Sequence, residues 1–326
     1  MKSKIFLKMI LNLAGFIIKV VVADSQDYPR LSVNHASLLS RGQEDFTLEI
    51  RYSDPPFMPE RLMGFAPMEM DLPRLTNRSA GCFWKMNFDG INILLSGTFP
   101  EDLRRSPWEM TINPDENTGF VRVSGSLRNR DPLSYPVDAL LIYYLGLFNG
   151  GSIIHSSGID FQGCGFLFAG PSGIGKSTIA RYCQLAGARV LHDDRILVRR
   201  CGDTVLAFRM PVYPGSLPAS MQPEKIFFIE QSEKIYEIPL PDQVTFELLA
   251  GHAVQHPFHS ELITRQVANI ASIVKAVPGF RLGFPADPQI GRYLKKQSLT
   301  GREPVAGGIA SLPDSRGLQS QTGVCR

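Results

Sequence analysis

Gly165-Phe166-Leu167-Phe168-Ala169-Gly170-Pro171-Ser172-Gly173-Ile174-Gly175-Lys176-Ser177-Thr178 is the stretch on which the reading of this chain turns. Its first five residues are a short apolar run suited to a buried strand. Gly170 to Ser177 then fits G-x-x-x-x-G-K-[ST] in full, and Thr178 to Leu185 reads as a helix that stops at Gly187. Strand, tight loop and helix in that order form the setting in which this motif cradles nucleotide phosphates. Glycines let the backbone turn so that successive N–H groups face one phosphate. The helix N-terminus adds partial positive charge. Lys176 supplies a mobile charge for the outer phosphates, and the Ser177 hydroxyl can ligate Mg²⁺. The expected contacts to ATP are Gly170, Ser172, Gly173, Ile174, Gly175, Lys176, Ser177 and Thr178.

Downstream, Val190-Leu191 leads into Asp193-Asp194. Only one helix (Ser177 to Ala186) and one short strand (Ala188 to Leu191) separate the pair from Lys176. The next strand therefore delivers both carboxylates beside the loop. One can hold Mg²⁺ and the other can accept a proton from a hydroxyl nucleophile. Upstream, His155 follows Ile153-Ile154. A lone histidine beside an apolar strand is more often a packed core residue than a catalyst. His192 is weaker still, and Arg195 is either a phosphate contact or a surface charge.

The run from Gly151 to Arg199 resembles the catalytic domain of the HPr kinase/phosphorylase family. The resemblance is carried by His155, by Gly163 and Gly165, by Gly170 to Ser177, and by Val190-Leu191-His192-Asp193-Asp194-Arg195. A weaker likeness continues to about Phe284. The resemblance implies a phosphoenolpyruvate-carboxykinase-like P-loop fold and phosphate transfer to a serine hydroxyl. It makes Asp193 the base at that hydroxyl, Asp194 a metal-side acid, and His155 a neighbour that orients Asp193. The catalytic set is thus Asp193, His155 and Lys176, with Ser177 and Asp194 on the metal. The glycine-rich downstream segment that HPr kinases use for HPr recognition and dephosphorylation is not found. The N-terminal half also differs from theirs. The chain looks closer to divergent HPr-kinase-like proteins that accompany peptide-modifying gene clusters, so neither HPr as substrate nor the reverse reaction is implied.

Outside this region, Phe46 to Tyr52 alternates apolar and polar residues and ends at Asp54-Pro55-Pro56. Cys82 to Phe88 is a second strand, with Asp89-Gly90 as a hairpin signal before Ile91 to Leu95, and Phe120 to Val123 reads as another strand. This half reads as an antiparallel scaffold or recognition domain in which Trp84 and Trp108 are packing residues. Pro136 to Phe148 is apolar nearly all round, as a buried helix is. Lys225 to Ile229 and Phe280 to Phe284 read as strands, and Glu261 to Val277 as a helix.

The first two dozen residues have the layout of a secretory signal: Lys2 and Lys4, an apolar run, and Ala23 near a cleavage point. A misassigned start codon, or a strand around Lys19 to Ala23, are the alternatives. A site that uses ATP belongs in the cytoplasm, so an uncleaved segment and a cytoplasmic protein are expected. The five cysteines are odd in number and widely spaced, which fits reduced thiols rather than a disulfide framework or zinc site. With 34 basic and 31 acidic residues in 326, the net charge of +3 implies no polyanionic partner. Neither nucleic acid nor a membrane is the expected partner.

The expectation is an α/β protein. A P-loop kinase core of phosphoenolpyruvate-carboxykinase/HPr-kinase type occupies residues 134–297. Residues 1–39 are an apolar segment and linker, 40–133 a β-rich N-terminal domain, and 298–326 a disordered tail. The expected activity is ATP- and Mg²⁺-dependent transfer of phosphate to a serine or threonine of a peptide or protein. Free serine as acceptor, a plain ATPase, and a nucleotide-sensing module are the rivals. A sensor needs one metal acid at most, so the paired acids favour chemistry. A homo-oligomer is left open.

Overall fold

The computed structural model describes residues 7–22, 31–36, 38–53, 84–99, 107–211, 217–256 and 259–300. The Asp54-Pro55-Pro56 break, Cys82-Phe83, residues 212–216 of the Pro-rich stretch Met210 to Pro218, and residues 301–326 lie outside these. The chain forms two compact units. One comprises Met1–Phe148, Phe208–Ser220 and Val254–Ala268, and the other Asn149–Ala207, Met221–Ala253 and Asn269–Arg326.

In the first unit seven strands form one sheet. They are β1 (Leu7–Leu13), β2 (Phe16–Val22), β3 (Phe46–Ser53), β4 (Trp84–Phe88), β5 (Ile93–Thr98), β6 (Pro107–Asn113) and β7 (Thr118–Ser124). Their order is β1-β2-β3-β7-β6-β5-β4. The apolar N-terminal run forms the β1–β2 hairpin, longer than the strand around Lys19 to Ala23 that was one of the alternatives and continuous with the sheet that was expected to begin at residue 40. Its turn places Ala14 and Gly15 at φ 49° and 82°, and the Asn12 side chain accepts the Gly15 N–H at 2.9 Å. Phe16, Ile18, Val20 and Val22 are all buried, so the run is a half-buried strand with period two. The sheet is mixed rather than antiparallel, because β3 runs parallel to both β2 and β7. Each of these parallel pairs is separated by a long stretch of chain, which parallel pairing requires.

Asp89 makes the β4–β5 turn, its carboxylate accepting the N–H groups of Ile91 (2.9 Å) and Asn92 (2.7 Å). Trp84 and Trp108 are buried packing residues, at 4% and 0% exposure. Helix α1 (Val33–Ala36) is one turn, and α2 (Val137–Phe148) is the apolar helix, buried at every position except Ala139 and Phe148.

α1 and α2 are linked by a buried ionic triad. His35 Nδ1 donates to Asp131 at 2.6 Å and Nε2 to Asp138 at 3.3 Å. Burial alone would lower the pKa of this imidazole, but the two carboxylates outweigh it and raise the value to about 9. A raised folded-state pKa stabilises fully below the unfolded value near 6.5, and that contribution is lost as pH rises through about 9. The shift corresponds to about 3 kcal/mol. Unfolding titrations from pH 6 to pH 10 should therefore show a decline in stability that His35→Gln removes. An equal decline in the variant would exclude the triad as its source.

The remaining strands are β8 (Gly151–Phe161), β9 (Cys164–Ala169), β10 (Arg189–His192), β11 (Arg195–Cys201), β12 (Thr204–Arg209), β13 (Ser220–Met221), β14 (Pro223–Gln231), β15 (Tyr236–Pro239) and β16 (Gly279–Phe284). They make a nine-stranded sheet, ordered β13-β12-β11-β8-β9-β14-β16-β15, with β10 also on β8. Its centre is parallel, β14 lying between β9 and β16. All six residues of β9 are buried, as befits a strand covered on both faces. The helices are α3 (Lys176–Leu185), α4 (Asp242–His252), α5 (Ser260–Ala276) and α6 (Gln289–Thr300). The tail expected from residue 298 thus begins inside α6.

Ile179, Ala180 and Cys183 of α3 enter a core with Phe166, Phe168 and Phe227 of the sheet and Ile290 and Leu294 of α6. Burying each large apolar side chain contributes about 1.5–3 kcal/mol, which fixes α3 on the sheet. α6 approaches α3 at Gly291, where a Cβ would stand 2.3 Å from the Tyr182 carbonyl oxygen. Lys295 donates to the Ala186 carbonyl just past the end of α3. Among the described residues Cys164, Cys183 and Cys201 form no disulfide, and no helix is long and apolar enough to cross a membrane.

Candidate functional site

The motif loop joins the C-terminal end of β9 to the first turn of α3. Gly173 and Gly175 take φ values of +83° and +120°, a region that disfavours L side chains. Gly170 is needed for space, since a Cβ there would meet the Ile174 side chain at 2.9 Å. No side chain caps the start of α3, so its leading N–H groups point into the loop. The Lys176 side chain folds back, and Nζ donates to the carbonyls of Gly170 (2.7 Å) and Pro171 (2.9 Å). Burial lowers the Lys176 pKa, and the Asp194 carboxylate partly restores it. Ser172, Gly173 and Ser177 are exposed, while Ile174, Gly175 and Thr178 are partly covered.

Asp193 and Asp194 form a bend between β10 and β11, both of which pair antiparallel with β8. The bend is held at three points. Ser156 N–H donates to the Asp194 carbonyl at 3.0 Å. The Ser157 hydroxyl donates to the Asp193 carbonyl at 3.4 Å. His192 Nδ1 accepts the N–H groups of Asp194 (3.1 Å) and Arg195 (3.2 Å). His192 is therefore a buried brace for the bend, a role no motif announces. The opposite edge of β8 carries the loop, because Ser156 pairs with Ala169, the last residue of β9. The structure thus brings His155, the Asp193–Asp194 bend and Lys176 to one end of the central strands.

The resemblance implies His155 beside Asp193, whereas the ring meets Asp194, with Nδ1 3.2 Å from Oδ1. Register explains this: Arg195 is paired with His155 across β11 and β8, so its neighbour Asp194 lies at the ring. Arg195 Nε is 3.6 Å from the other Asp194 oxygen. The bond from His155 lowers the Asp194 pKa, burial opposes that, and Arg195 lowers it further, so the carboxylate is held ionised. Asp193 makes no side-chain hydrogen bond or ion pair among the described residues. His252 is the site residue that the sequence reading missed. It lies at the end of α4, close enough to Lys176 and His155 for their charges to lower its pKa, after burial as the larger cause.

The donor set fits Mg²⁺. A serine hydroxyl and an ionised carboxylate are hard oxygen ligands, and Mg²⁺ takes one or two carboxylates with water and phosphate oxygens around it. Among the described residues no three His, Cys, Asp or Glu side chains cluster as an all-protein metal cage.

No family model and no curated relative matches the sequence. Among solved structures, the Hpr(Ser) kinase/phosphatase from Coxiella burnetii aligns with 46% of this chain and 95% of its own, at 10% identity and a TM-score of 0.28. That is a weak likeness at the level of fold, and it leaves the chemistry to be argued from the residues.

Proposed function

We propose that this chain is an ATP-dependent kinase that transfers the γ-phosphoryl group to a serine or threonine hydroxyl of a peptide or protein. One observation carries the reading. A complete G-x-x-x-x-G-K-S loop leaves a buried strand for a helix N-terminus, and an acid pair arrives at the same end of the sheet, with Asp194 felt by Lys176. A helix N-terminus behind a glycine-rich turn is suited to an anion. The second, solvent-accessible carboxylate beside it is more than a binding site needs.

In this reading Lys176 moves from the loop carbonyls to the outer phosphates, and the N–H groups of Gly173 to Thr178 hold the phosphate chain. Ser177 and Asp194 would hold Mg²⁺, which supplies charge neutralisation across the phosphates. His155 and Arg195 keep Asp194 ionised and oriented. Asp193, unpaired, takes the proton of the acceptor hydroxyl. The acceptor oxygen bonds to the γ-phosphorus as its bond to the β,γ-bridging oxygen breaks, and ADP leaves. Catalysis of this kind is mostly positioning and electrostatics.

A peptide acceptor is preferred over free serine for two reasons. The β-rich first unit is more than phosphoryl transfer needs, and among the described residues β4 is an edge strand of its sheet, of the kind to which an extended peptide can add. Among the described residues, the charged groups beside the loop, Lys176, Asp193, Asp194 and Arg195, are already engaged with the nucleotide and the proton transfer in this reading, which leaves no separate set for a free amino acid's carboxylate and amine. Incubation with Mg·ATP and either free serine or serine-containing peptides, followed by mass spectrometry, tests this. Phosphate on peptide serine is expected. Efficient phosphorylation of free serine with none on any peptide would overturn the acceptor class.

A further inference from the structure

His252 is the last residue of α4, and register places it. Ala169 of β9 pairs with Ser156 of β8. Were β9 to run on, residue 171 would lie opposite Ile154. The chain instead leaves the sheet as the loop, and Ala253 takes that place in an antiparallel bridge to Ile154. On the other flank of β9, Phe228 of β14 pairs with Ala169. The His252 ring stacks on Phe228, with centroids 6.3 Å apart and planes 26° apart. Bridge and stack together hold the imidazole where β9 turns into the loop. Neither ring nitrogen makes a hydrogen bond among the described residues. A half-buried imidazole in that state, fixed beside a loop built for anions, is a candidate ligand contact.

We infer that His252 is a phosphate-contacting residue of this centre, taking up a proton from solvent as a polyphosphate settles on the loop and then donating to an outer phosphate oxygen. The inference rests on the kinase reading above. Among the described residues, the charged and titratable groups that act on the ring are Lys176 from α3 and His155 from β8, with Asp194 of the bend in turn paired to His155. Burial first, then Lys176 and His155, lower the pKa of His252 in the free chain. An arriving anion reverses that field and favours the charged ring. Lys176 is a permanent charge for the phosphates, whereas His252 becomes one only when they are present.

Calorimetric titration of a non-hydrolysable Mg·ATP analogue tests this, in two buffers of different ionisation enthalpy, from pH 6 to pH 8. Wild type, His252→Gln and His252→Lys are compared. The ligand's own ionisation is common to all three, so differences between them isolate the imidazole. His252→Gln should bind about tenfold more weakly at the low end of the range. It should also take up fewer protons than wild type and lose part of the pH dependence of affinity. His252→Lys should keep affinity within a few-fold while losing the same proton uptake, because its charge is permanent. Thermal melts establish that each variant is folded. If His252→Gln does not fold, the comparison of wild type with His252→Lys decides. Equal proton uptake and affinity in wild type and a folded variant would overturn the inference and leave the kinase reading standing. Absence of analogue binding by all three proteins would overturn the kinase reading, and the inference with it.

Discussion

Asp193→Asn should bind Mg·ATP with nearly unchanged affinity and lose about 10²- to 10⁴-fold in phosphoryl transfer, the usual contribution of a positioned general base. The substitution removes the proton acceptor and little else. The Asp193 side chain makes no hydrogen bond or ion pair among the described residues, and its backbone carbonyl keeps the contact to Ser157. Asp194→Asn should behave differently. Asp194 is bonded to His155, lies near Arg195 and interacts with Lys176, so its neutralisation should raise the Mg²⁺ concentration needed for activity. Titrating nucleotide and Mg²⁺ into both variants separates the two roles. If Asp193→Asn alone abolished metal dependence, the assignments would be exchanged.

Lys176→Ala should reduce ATP consumption by about 10²- to 10³-fold, the cost of removing one preorganised charge from a transition state. In the free chain this ammonium is buried and bonded to the Gly170 and Pro171 carbonyls. It must therefore exchange two loop contacts for phosphate oxygens, a move that costs little if both sites lie within reach of one flexible stem. Lys176→Met, which keeps the stem, should be as inactive as the alanine variant while melting closer to wild type. Turnover near the wild-type rate in the methionine variant would remove Lys176 from the chemistry.

The loop was legible because its signal is local. Gly170 to Ser177 carries its glycines, lysine and serine at fixed spacing, and the flanking strand and helix are each one uninterrupted pattern. The acid pair was legible for the same reason. What was not legible depends on pairing between distant segments. His155 meets Asp194 and not Asp193 because β11 registers Arg195 opposite it, and no spacing within either strand states that register. His252 lies far along the chain from the loop and reaches it only through the Ala253–Ile154 bridge. The brace role of His192 follows from where its ring accepts two N–H groups, which a sequence does not display.

In the first unit, local alternation gave β3, β4 and β7, but the parallel pairing of β3 with β2 and β7 follows from long connections. The apolar N-terminal run satisfied two descriptions at once, an export signal and a strand, because both are short and hydrophobic. Its period-two burial in the folded chain is that of a half-buried strand. Helix α6 was missed because its polar positions resemble the tail beyond it, although Gly291 and Leu294 pack it on α3 and the core.

Acceptor-dependent phosphoryl transfer is decided by the stoichiometry of ADP to phosphoserine. The full chain is incubated with Mg·ATP, with and without a serine-containing peptide, and both products are quantified. Little ADP should form without peptide, and ADP and phosphoserine should form one for one when peptide is present. Steady ADP release at the same rate with or without acceptor, and no phosphoserine, would contradict it and leave an ATPase.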